Sequence, residues 1–178
     1  MLIGRDKEKQ LLQNALSEEY SQFIAVYGRR RVGKTFLIRE AYGYKFDFQF
    51  TGAAKLTARK QLVRFRRTLK EHGQKDTPEL TNWGDAFSEL KRFINNLPEG
   101  KKVVFLDELP WMDASRSGFL SELESFLERL GIRSQRYCFY SLRKQYIMDG
   151  EEDHQKQRRF TQSLESSYIS QTIPVGIV

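Results

Sequence analysis

With 178 residues, 39% apolar and 30% charged, the chain fits one globular domain of ordinary size. A single cysteine, Cys138, excludes an internal disulfide and points to the reducing cytoplasm; from the charged stretch Met1–Gln10 and the lack of a long apolar run, neither an export signal nor a membrane span is expected. The net charge of +7 admits a nucleic-acid partner or a solvated surface, and the surface is favoured because three arginines, Arg29, Arg30 and Arg31, fall inside a glycine-bounded loop.

In chain order, Asp6 to Leu16 sets Leu11, Leu12 and Ala15 among charges, as an amphipathic helix does. Phe23 to Tyr27 is a short apolar run ending at glycine, which predicts a strand buried on both faces and hence a parallel sheet. A helix begins near Lys34, carries Phe36, Leu37, Ile38 and Ala41, and stops at Gly43. Phe46-Asp47-Phe48-Gln49-Phe50 alternates as a half-exposed edge strand would. From Ala58 to Glu71, Leu62, Phe65 and Leu69 recur at helical spacing while Arg59, Lys60, Arg64, Arg66, Arg67 and Lys70 crowd the other face. A further helix is predicted at about Trp83 to Leu97, a buried strand at Val103 to Leu106, and a helix over Ser117 to Leu130. Beyond Gly131 no sustained periodicity is found.

Two sites carry chemistry. Gly28-Arg29-Arg30-Arg31-Val32-Gly33-Lys34-Thr35 matches G-x-x-x-x-G-K-[ST], with a buried strand before it and a helix after it. Glycines let the backbone curl so that N–H groups face phosphate oxygens, and the helix adds its positive end. Lys34 is expected at the β- and γ-phosphates and the Thr35 hydroxyl on Mg²⁺. Asp107 and Glu108 close the second strand. The aspartate suits Mg²⁺, usually through water, and the glutamate suits orienting and deprotonating an attacking water. A surface acidic pair before Pro110 is the plainer alternative. Arg116 is a weaker candidate for a charge-stabilising arginine. Cys138, His72 and His154 lack metal-ligand spacing.

Taken together, I-G-R at Ile3 to Arg5, Y-G-R-R-R-V-G-K-T-F-L-I-R-E at Tyr27 to Glu40 and V-V-F-L-D-E-L-P-W-M at Val103 to Met112 resemble the archaeal-type prokaryotic ATPases, in the STAND branch of the AAA+-like P-loop NTPases. The resemblance covers about residues 1–124. It implies that Ile3, Gly4 and Arg5 lie near the adenine, that Gly28 to Thr35 hold the phosphates, and that Asp107 and Glu108 are the magnesium and catalytic carboxylates. Family members continue with a sensor strand, a helical lid and a winged helix, none recognisable here. From Ser125 the chain departs from the family pattern. Back-translation with the frame shifted by one base permits H-F-W-N-G-W-A-S-A-R-K-D-I-V-F-I-V-C-G-S-S-T-S-W-M. One position is forced: Met148-Asp149 requires ATG-GAY, which regroups to the tryptophan codon TGG. A frame shift near codons 124 and 125 is therefore expected, leaving 125–178 aberrant and poorly structured. The sheet should then have a gap between the Phe23 strand and the Asp107 strand, which segments such as Ile132 to Leu142 would fill poorly.

The expectation is an α/β protein: a three-layer P-loop NTPase sheet with helices on both faces, C-terminally incomplete, in which 1–124 is an ATPase core. It binds ATP and Mg²⁺ and hydrolyses ATP to drive a conformational switch, with Lys34 and Glu108 catalytic. Rival readings are a non-hydrolysing or nonfunctional remnant and a basic nucleic-acid-binding module. A nucleic-acid or protein partner would come through regions missing here, and no membrane is involved.

Overall fold

The computed structural model describes residues 4–18, 22–29, 31–114, 116–130, 137–145 and 171–174. In chain order these form α1 (Asp6–Ser17), β1 (Gln22–Arg29), α2 (Lys34–Ala41), β2 (Phe48–Thr51), α3 (Ala58–Glu71), α4 (Trp83–Asn95), β3 (Lys102–Asp107), α5 (Leu109–Met112), α6 (Phe119–Arg129), β4 (Tyr137–Gln145) and β5 (Gln171–Pro174). The strands lie in the order β2-β3-β4-β1-β5, and every pairing is parallel.

Strand alternation sorts side chains to two faces. Val104 and Leu106 of β3 join Phe23, Phe48 and Phe50 in one core, which α3, α4 and α6 cover. Val103 and Phe105 face the other way, with Ile24 and Val26, onto α1 and α2. Helices therefore lie on both faces, as the uninterrupted apolar strands require. The larger core is aromatic. Phe65 meets Trp83 and Phe50 edge-on, and Phe87 stacks on Phe126 with ring centroids 4.9 Å apart.

Local signals explain the helix bounds. Thr57 caps α3 by accepting the Lys60 N–H. Asn82 caps α4 by accepting the Asp85 N–H at 2.8 Å, and the Asp85 carboxylate accepts from the Thr81 N–H and hydroxyl at 3.0 and 2.6 Å. The Asn82 contact satisfies a donor that the first turn leaves over, and the Asp85 carboxylate ties the residue before the cap to the helix. On α1, Leu12 and Ala15 are buried but Leu11 is 45% exposed, because at 100° per residue it falls outside the stripe through positions 12, 15 and 16. The tyrosine after α2 ties α1 down, its Tyr42 hydroxyl donating to the Leu12 carbonyl.

The expected gap in the sheet is corrected. β4 occupies it, pairing with β1 from Gln22↔Cys138 to Arg29↔Gln145 and with β3 from Lys102↔Tyr137 to Leu106↔Ser141. Both neighbours thus have parallel partners for their backbone groups. β5 adds to the outer side of β1, and its Pro174 sits on an edge strand, where a missing N–H is tolerated. Helix α6 runs through positions 124 and 125 without a break, with Phe126 and Leu127 buried.

Candidate functional site

Parallel pairing brings the C-terminal ends of β1 and β3 to the same edge of the sheet, the edge where ligands bind in open α/β folds. The segment after β1 turns at Arg31 (φ 64°) and Gly33 (φ 78°) before α2 begins at Lys34. Arg31 holds a left-handed conformation at a cost of about 1–2 kcal/mol for a residue with a Cβ, so the bend is strained. At Gly33 a Cβ would meet nothing within 4 Å; glycine is needed there for its conformation, not for space. Lys34 is buried in the first turn of α2 at 6% exposure, and Val32 packs against the α1–α2 core.

One part of the motif departs from expectation. Gly28 and Arg29 belong to β1, paired with Lys144 and Gln145 of β4. The curling loop therefore starts two residues later than the motif suggests, because β4 extends the ladder into it. Arg30 lies outside the described residues, as does Ile3. Gly4 is exposed with φ 78°, and Arg5 is buried at 7% exposure where it precedes α1.

The structure joins the two sequence motifs. The Thr35 hydroxyl donates to Asp107 Oδ2 at 3.4 Å across 72 residues of chain. Asp107 and Glu108 are both buried, at 6% and 9% exposure, so the surface acidic pair is excluded. Glu108 has φ 59°, an uncommon conformation for a residue with a side chain, found where surrounding structure enforces it.

That enforcement comes from residues the sequence reading passed over. Gly52, just after β2, donates its N–H to the Asp107 carbonyl at 2.9 Å. A Cβ on Gly52 would lie 2.7 Å from the Glu108 carbonyl oxygen and 2.9 Å from Met112 Cγ. Gln61, fully buried on α3, then clasps both loops. Its Oε1 accepts the Ala53 N–H at 3.2 Å, and its Nε2 donates to the Ala53 and Trp111 carbonyls at 2.7 and 2.8 Å. The Trp111 N–H returns to the Glu108 carbonyl at 3.0 Å. The available signal was a polar residue set on the apolar stripe of α3, which in a core implies satisfied hydrogen bonds.

Arg116 and His72 do not join the site. Arg116 is exposed in the loop before α6. The His72 Nδ1–H donates to the Thr68 carbonyl (2.8 Å), and the ring packs on Phe48. Cys138 lies in β4, while His154 lies outside the described residues. Among the described residues no group of three or more His, Cys, Asp or Glu is arranged to hold a metal, and no helix is long and apolar enough to cross a membrane.

No family model matches the chain. An uncharacterized ATP-binding protein of Methanocaldococcus jannaschii is 42% identical to it over 40 residues, 22% of this chain and 68% of that protein. Among solved structures, the Aeropyrum pernix ORC2 protein in its ADPNP-ADP complexes superposes with a TM-score of 0.57 at 19% identity. The match covers 98% of this chain and 48% of that one, so the chain spans about half that protein's length. At this identity the likeness concerns the fold. The chain belongs to the same family as the Methanocaldococcus jannaschii protein and has the fold of the P-loop NTPases.

Proposed function

We propose that the chain binds ATP with Mg²⁺ and hydrolyses it in the cytoplasm to drive a conformational switch, in the STAND branch of the AAA+-like P-loop NTPases. The observation that carries this reading is the Thr35–Asp107 contact, which brings the end of the phosphate loop to the carboxylate of β3. The two oxygens, 3.4 Å apart, fit Mg²⁺ by chemistry: both are hard donors of the kind the ion takes, Thr35 as a ligand and Asp107 usually through water. Bound there with phosphate oxygens, Mg²⁺ would neutralise charge on the transferring phosphoryl group.

The chain's own groups take the remaining roles. The loop amides of the Gly28–Thr35 segment beyond the end of β1, with the N-terminal end of α2, cradle phosphate. Lys34 places its ammonium against the β- and γ-phosphates. Glu108 orients the attacking water and accepts its proton, which is why a fixed backbone at that residue matters. Ile3, Gly4 and Arg5 border the adenine. Titration with a fluorescent ATP analogue tests binding directly: saturable, Mg²⁺-strengthened binding that Lys34→Ala weakens at least tenfold is the expected result. Equal binding by wild type and Lys34→Ala would refute the site.

We also propose that residues 125–178 are read in a shifted frame and that 1–124 is the ATPase core. The tryptophan codon forced by Met148-Asp149 supports it. On this reading the shifted residues complete α6 and supply β4 and β5. The gene's DNA tests it: restoring the frame should yield the strand-like I-V-F-I-V-C-G-S, and failure to do so ends the idea.

A further inference from the structure

Most of the net positive charge of this chain falls on one helix. α3 contains Arg59, Lys60, Arg64, Arg66, Arg67 and Lys70 against Glu71 alone, a net +5 of the chain's +7. The rest of the molecule is therefore close to neutral. A solvated surface ordinarily intersperses both signs, and this one does not.

The helix has two distinct faces. Gln61, Leu62, Phe65 and Leu69 are buried against the core. Arg59, Lys60, Val63, Arg64, Arg67 and Lys70 are exposed and span an arc of about 140° along a helix roughly 21 Å long. Glu71 is exposed at the C-terminal end of that arc. Among the described residues, none of the five cations on the arc forms an ion pair. Arg64 alone is engaged, donating one N–H to the Thr51 carbonyl at 3.3 Å, which anchors the face beside the end of β2. Arg66, off the arc, donates to the Thr77 carbonyl at 2.9 Å.

We propose that this face of α3 binds the phosphate backbone of a nucleic-acid duplex without reading its sequence. A rod of cations matches a regular row of phosphates, and counterion release supplies the affinity. Guanidinium forks at Arg59, Arg64 and Arg67 suit paired phosphate oxygens. The arc has no aromatic residue, so it lacks the stacking platforms that single strands use. Val63, 56% exposed, is its one apolar side chain, too little for a helix lying in a membrane interface.

The test is fluorescence anisotropy of a labelled 30-base-pair duplex with the full chain, repeated across 50–200 mM salt. About four phosphate contacts predict a log–log slope near −3.6. Neutralising Arg59, Arg67 and Lys70 to Gln should reduce that slope by about 2–3 and weaken binding at least tenfold at 50 mM salt. Replacing Arg59 and Arg67 by Lys keeps the charge and should retain most of the slope, which guards against a variant that fails merely by misfolding. Lys7, Lys9 and Lys45 changed together to Gln should leave binding unchanged. Lys34→Ala should also bind the duplex normally, so the outcome is independent of the nucleotide reading. No binding at 50 mM salt, a slope unaffected by the Gln triple, or tighter binding to phosphatidylserine vesicles, polyglutamate or oligo-dT than to the duplex would each overturn the proposal.

Discussion

Replacing Gly52 with Ala probes the support of Glu108 more sharply than removing the glutamate. The new methyl carbon would begin 2.7 Å from the Glu108 carbonyl oxygen and 2.9 Å from Met112 Cγ. Neither neighbour yields easily: the Met112 contact is at Cγ, close to the backbone of a fully buried residue, and the Glu108 carbonyl is itself backbone. Restoring ordinary contact needs a retreat of roughly half an ångström, taken up by the Glu108 backbone or by β2. Overpacking of this kind costs about 1–3 kcal/mol, which in a domain of this size lowers Tm by roughly 3–10 °C. Since misplacement by about 1 Å can slow a reaction about a hundredfold, half that shift should slow turnover about tenfold. Lys34 and Thr35 are untouched, so ATP affinity should stay within about threefold of wild type, as each 1.4 kcal/mol of binding is tenfold. Single-turnover hydrolysis, a nucleotide titration and a thermal melt separate these effects. Unchanged turnover would refute the claim that Gly52 sets the Glu108 backbone; equal loss of binding and turnover would show a general disruption instead.

Gln61→Leu leaves the Ala53 N–H and the Ala53 and Trp111 carbonyls without the amide that joins them. Each unsatisfied buried group costs about 1–3 kcal/mol, so hydrogen exchange at Ala53 should rise at least tenfold while the α4 amides stay protected; equal exchange at both would contradict the clasp. At the start of α4, hydrogen bonds from the Thr81 side chain and then its backbone hold the Asp85 carboxyl below its ordinary range. This contribution is fully present above the unfolded value of about 3.9 and is lost as pH falls through the lower folded value. Melts below about pH 4 should therefore show a loss that Asp85→Asn flattens, and identical pH profiles would remove the effect. Asn82→Ala, which deletes the side-chain cap of α4, should cost about 1 kcal/mol at neutral pH, read by urea denaturation.

The most legible elements were those whose signals are local. α3 spans Ala58–Glu71, the bounds its apolar spacing predicts. The alternating Phe48-Gln49-Phe50 segment falls on an edge strand, as expected, though its pairing starts at Phe48 and not Phe46. Asp107 was legible from the apolar run before it, and its meeting with Thr35 follows from the parallel sheet. β4 was only partly legible: Ile132 to Leu142 offered a poor filler for the gap, and Tyr137-Cys138-Phe139-Tyr140 suits a strand, but Arg143 and Lys144 break the pattern, and a parallel partner is distant in sequence. Gly52 and Gln61 escaped notice for a different reason. Their importance lies in contacts with residues about 50 positions away, and no local spacing records such an approach. The short helix α5 follows from Glu108 turning left-handed just before it and from Pro110 in its first turn, where proline is tolerated.

Phosphate release by wild type and Glu108→Gln at saturating ATP and Mg²⁺, with nucleotide occupancy measured in the same samples, tests the ATPase reading most directly. Wild type should release phosphate continuously, whereas Glu108→Gln should remain loaded with ATP and release it at least a hundredfold more slowly, consistent with loss of a positioned general base. Full occupancy with no release by wild type, or equal release by both proteins, would contradict the account.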